Sequence, residues 1–138
     1  MRMTILFVLA VAGIGSWAEA APPDAKNFAL SVQAPATSEV GKVARARVKL
    51  EPGTGYKINK QYPIKLEVTP PGGVDVERKT LRAADAVRLD AQQALFEVAF
   101  TAKEAGRKEL RAVLGFSVCT PKACLVKKEP LAFSTDVR

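Results

Sequence analysis

Two cysteines, Cys119 and Cys124, are the only residues of this chain suited to covalent redox chemistry. They read Cys119-Thr-Pro-Lys-Ala-Cys124 and lie between two strand-like runs near the C-terminus. Two thiols this close can pair, and the resulting bond is either a staple or an exchange site. The rest of the inventory narrows the chemistry to this pair. No histidine occurs in the 138 residues, so histidine-based general base catalysis and Ser-His-Asp triads are excluded. Both methionines (Met1 and Met3) and the single tryptophan (Trp17) belong to the N-terminal leader. Two cysteines without histidine or further methionine cannot build a standard four-ligand zinc site or a blue-copper site. No glycine-rich phosphate loop is present. Hydrolytic, metal-dependent and nucleotide-dependent enzyme classes are therefore disfavoured, and no metal or cofactor is expected.

The leader sets the expected compartment. Arg2 supplies a positive start, and Ile5, Leu6, Phe7, Val8, Leu9, Val11 and Ile14 supply an uncharged apolar stretch. Ala18-Glu19-Ala20 then gives a small-x-small pattern ahead of Ala21. This is the pattern of a secretory signal peptide over residues 1–20, cleaved before Ala21. An uncleaved anchor is the alternative, but the apolar stretch falls short of the about 20 residues that span a bilayer. No cysteine near the cut offers a lipid attachment point. Residues 21–138 are expected to be one soluble domain, periplasmic or secreted, where disulfides persist.

Removing the leader takes one base (Arg2) and one acid (Glu19), so the formal net charge stays +7. A cationic exported protein suits acidic partners: lipid head groups, envelope polymers or an acidic protein face. Nucleic acid is a poor candidate, since no basic motif interleaved with aromatics occurs. Arg45, Arg47 and Lys49 alternate with Ala44, Ala46, Val48 and Leu50, which puts the three bases on one strand face. That face is either a plain solvated surface or a candidate anion or partner face.

The elements that must position the cysteines read as strands. Period-two alternation dominates from Phe28 onward. It covers Phe28–Leu30–Val32, Ala44 to Leu50, Ile64–Leu66–Val68, Val74–Val76, Phe96–Val98–Phe100 and Leu110 to Val118, with a last strand at Leu131 and Phe133. Turn clusters separate them: Glu51-Pro52-Gly53-Thr54-Gly55, Pro70-Pro71-Gly72-Gly73 and Glu104-Ala105-Gly106. Residues 21–24 form a short Ala/Pro lead, and 82–93 read as loop with a short strand. Many short strands with turns between them predict an all-β, immunoglobulin-like antiparallel β-sandwich, with a small barrel as the alternative.

Cys119 and Cys124 then flank a hairpin loop containing Pro121. Residues facing each other there have Cα atoms about 4.5–5.5 Å apart, inside disulfide range. So short a closed loop stabilises by only about 2 kcal/mol. If Leu114, Phe116 and Val118 face the core, Cys119 shares the opposite face with Gly115 and Ser117, within reach of another thiol. Lys122, Lys127 and Lys128 add positive charge that favours a thiolate.

Beyond these local signals, Gly55-Tyr56-Lys57-Ile58-Asn59 precedes a Pro-bearing strand at Pro63 to Val68, then Gly73-Val74, then Phe116-Ser117-Val118-Cys119 and Cys124-Leu125. In that order the motifs resemble the N-terminal, periplasmic immunoglobulin-like domain of the thiol:disulfide interchange protein DsbD. The cysteine spacing is one residue shorter than in the best-known members. The resemblance implies that Cys119 and Cys124 exchange electrons with a thioredoxin-like or other envelope protein through a mixed disulfide. It makes Tyr56 and Tyr62 candidates for shielding the pair. The chain has no Cys-x-x-Cys thioredoxin-like segment, so the donor would be a separate protein. The competing expectation is a non-catalytic binding or accessory module whose disulfide only pins the hairpin.

Overall fold

The computed structural model describes residues 27–138. The expected signal peptide (1–20) and the lead at 21–24 lie outside the described residues. Eleven strands form two sheets: β1 (Phe28–Gln33), β2 (Thr37–Ser38), β3 (Val43–Pro52), β4 (Lys57–Ile58), β5 (Lys65–Thr69), β6 (Val74–Val76), β7 (Thr80–Arg82), β8 (Arg88–Leu89), β9 (Ala94–Ala102), β10 (Gly106–Cys119) and β11 (Cys124–Val137). One sheet runs β1-β3-β9-β6, with β8 also on β9. The other runs β2-β11-β10-β5-β7, with β4 also on β10. The apolar alternation of each strand turns one face inward, so the two sheets bury a shared core. Phe96, Phe100, Phe116, Leu50, Leu66, Leu110 and Leu114 are its largest fully buried members. Phe28 meets Phe116 edge-on across the sheets, with ring centroids 5.0 Å apart. Two separate sheets make this a sandwich rather than a barrel.

Several local expectations need correction. The last strand does not start near Leu131 but runs the full length from Cys124, paired residue for residue with β10. Lys127 and Glu129 occupy inward-phase positions and hide its apolar alternation. Pairing is not wholly antiparallel, because β2 lies parallel to the end of β11. Residues 82–93 do read as loop with a short strand: they hold β8, together with the end of β7 and a 3-10 turn at Ala83–Asp85. Pro52 ends β3 opposite Phe28, and Gly106 opens β10. Gly73 does sit in a turn: its φ of +78° is costly for any residue with a Cβ.

β4 and β5 lie end to end along one edge of β10, interrupted at 59–64. Pro63, which has no N–H to give a ladder, falls in that break. Asn59 organises it: its side-chain oxygen accepts from the Gln61 N–H, and its carbonyl accepts from the Tyr62 N–H. The interruption carries the Tyr56–Asn59 segment to the cysteine end of β10.

Candidate functional site

Cys119 and Cys124 are joined in a disulfide at the tip of the β10–β11 hairpin, with Cα atoms 4.0 Å apart. The turn beyond them is tight. Thr120 donates its N–H to the Ala123 carbonyl at 2.8 Å, and its hydroxyl accepts the N–H groups of Lys122 and Ala123. That bond makes Thr120 and Ala123 a hydrogen-bonded pair, so the cysteine pair one step inward is non-hydrogen-bonded. Such pairs bring side chains closest, at about 4.5 Å between Cα atoms, and the 4.0 Å here is shorter than the range expected from the sequence. The two sulfurs are not equivalent in setting. Cys124 is exposed, whereas Cys119 is half-buried between β11 and β4.

The long gap in sequence between the two motifs closes here. Lys57 is the register partner of Cys119, and Ile58 that of Val118. Asn59 donates its N–H to the Ser117 carbonyl at 2.9 Å. Ser117 lies on the outward phase of β10 yet is only 2% exposed, and its Oγ stands 4.0 Å from Cys119 Sγ. Ile58 also donates to the Ala91 carbonyl at 2.8 Å, tying β4 to the loop before β9. Tyr56 is half-buried against the core, and Tyr62 is half-buried in the turn after β4. Sequence reasoning missed Lys57 and Ser117. Their only signal was the position of Lys57 inside the Gly55–Asn59 motif and of Ser117 two residues before a cysteine.

Charge gathers at this end. Lys57, Lys60, Lys122 and Lys128 form no ion pair among the described residues. Glu67, opposite Val113 further along β10, is occupied by Lys65 at 2.6 Å. The hydrogen bond from Lys65, then its charge, hold the Glu67 carboxyl below the usual carboxylate range, and Lys128 and Arg82 add smaller contributions.

Arg45, Arg47 and Lys49 stand on the outer face of β3, on the other sheet from the disulfide. Glu97 on β9 accepts from Arg45 at 2.7 Å and lies 3.5 Å from Arg47, while Lys49 meets Glu51 at 2.7 Å. The row is thus largely neutralised from within. The structure does not bring these bases to the cysteines. No group of three or more histidine, cysteine, aspartate or glutamate side chains among the described residues could hold a metal.

The two-sheet architecture defines an immunoglobulin-like β-sandwich domain with a hairpin-tip disulfide. No family model matches the chain, and no curated protein sequence does. Among solved structures it is similar to Escherichia coli alpha-2-macroglobulin from domain MG7 to the C-terminus, at TM-score 0.56 and 12% identity. That match covers 83% of this chain and 17% of that one. It is also similar to a cohesin module from a Clostridium perfringens family 33 glycoside hydrolase, at TM-score 0.48 and 12% identity over 81% and 97% of the two chains. The reduced N-terminal domain of Neisseria meningitidis DsbD matches at TM-score 0.37 and 16% identity over 84% and 89%. At these identities the likeness is one of fold. No helix among the described residues is long and apolar enough to cross a membrane.

Proposed function

We propose that this is an exported domain that exchanges thiols and disulfides with envelope proteins through Cys119 and Cys124. Residues 1–20 would be the signal and 21–138 the working domain. The observation that carries the reading is the unequal setting of the two sulfurs at an exposed tip. A partner thiolate attacks exposed Cys124 Sγ, forming a mixed disulfide and breaking the Cys119–Cys124 bond. Cys119 leaves as a thiolate, which then takes up a proton. The Ser117 hydroxyl and the cationic Lys57 beside it favour that leaving group. A second partner thiol then attacks the partner's own sulfur in the mixed disulfide and releases Cys124. The partner becomes a disulfide and this domain a dithiol; the reverse sequence passes both electrons to an oxidised protein. Tyr56 and Tyr62 flank the Lys57–Ile58 segment and would limit access from that side. The order of motifs resembling the DsbD N-terminal domain supports the same chemistry.

The reduction potential of the pair tests this. Structural bonds of secreted proteins lie below about −300 mV, and exchange-active ones lie higher. A potential above that line is expected. A value well below it, with the pair found only oxidised in cells, would make the bond a staple.

A further inference from the structure

Among the described residues, no strand pairs with the edge of β11 beside the disulfide. Because Thr120 and Ala123 form a hydrogen-bonded pair, the backbone groups of Cys124, Val126, Lys128, Pro130 and Ala132 point away from β10. The same phase is seen lower on the strand, where the Asp136 N–H reaches outward to the Ala36 carbonyl. β2 covers that edge only at Asp136 and Val137. From Cys124 to Ala132 no strand pairs with it among the described residues. Pro130 presents no N–H, so the usable tract is the one next to the disulfide: Cys124, Val126 and Lys128. Val126 is 60% exposed on it. Lys122, which forms no ion pair among the described residues, and Lys128, whose charge also acts on Glu67, bracket the tract, with Lys57 and Lys60 on the far side of the hairpin tip.

We infer that this edge docks an extended, acidic segment of the thiol-bearing partner as an added strand, laid alongside Cys124. This rests on the exchange reading above for the partner's thiol but not for the docking itself. Main-chain bonds to Val126 and Lys128 supply the pairing, and the lysines select acidic side chains. A second copy of this chain is disfavoured, because antiparallel pairing would set one lysine-bearing edge against another.

The test uses the purified protein and synthetic five-residue peptides of alternating glutamate and valine, with a lysine–valine counterpart. A cysteine-free acidic peptide should slow hydrogen exchange at the Val126 and Lys128 amides, and the basic peptide should not. The acidic peptide bearing one cysteine should open the disulfide roughly tenfold or more faster than the basic one at low salt, the gap narrowing as salt rises. Val126→Pro takes away an N–H that no bond to β10 uses, and the same strand already accommodates Pro130 at an equivalent outward position. It should abolish that advantage and leave the rate with dithiothreitol unchanged. Unprotected amides, or equal peptide rates, overturn the docking. Protection by vesicles of anionic phospholipid but not by the acidic peptide overturns it in favour of a membrane surface. Protection without exchange by any cysteine peptide keeps the docking and sinks the exchange reading. Fast exchange without protection does the reverse.

Discussion

Replacing both cysteines (Cys119→Ser with Cys124→Ser) should leave the domain folded and lower its stability by only about 2 kcal/mol. The magnitude follows from the structure. The bond joins residues five apart, so it withdraws little freedom from the unfolded chain. The hairpin it closes is already held by a ladder from Gly106–Val137 to Cys119–Cys124 and by the Thr120 turn. Behind it Phe116 and Val118 are fully buried and do not depend on the sulfurs. For a domain of this size the loss corresponds to a fall in Tm of about 8 °C. Urea unfolding of the oxidised protein, the reduced protein and the double variant should give one slope and midpoints displaced by that amount. An unfolded double variant, or a loss beyond about 4 kcal/mol, would refute the reasoning and show that the bond organises the tip. A small loss is also what an exchange protein requires, since it must stay folded in both redox states.

Two further outcomes follow from the packing and the charges. Phe116→Ala should cost about 3–5 kcal/mol by urea unfolding, because the ring is fully buried and Phe28 loses its edge-on partner. On the other sheet, the hydrogen bond from Arg45, then its charge with that of Arg47, hold the Glu97 carboxyl below the usual range against the opposing effect of burial. A depressed folded pKa means this contribution is present above the ordinary glutamate pKa and lost as pH falls through the folded value. Carboxyl NMR titration should find Glu97 low, and Arg45→Ala should return it toward the ordinary range; an unmoved titration would contradict the pairing.

Much of the fold was legible because a strand's pleat has a period of two. Ala46, Val48 and Leu50, or Leu110 through Val118, declare their buried face without reference to any other strand. The failures have an equally local cause. Lys127 and Glu129 fall on inward-phase positions of an edge strand, where partial exposure tolerates charge, so the alternation of β11 broke and its first half was missed. β2, β4 and β8 are two residues each, too short for any period to register.

The sequence by itself determined that the chain is built of strands, which face of each long alternating strand is apolar, and that its two thiols flank a turn. Tertiary structure alone decided that Lys57 comes to lie beside Cys119 and Asn59 beside Ser117, that Glu97 answers Arg45 and Arg47, and that among the described residues no strand pairs with β11 next to Cys124. Alternation is a property of neighbouring residues and is written locally. Pairing between distant strands is chosen by how two apolar sheet faces close on each other, and no stretch of sequence contains that choice.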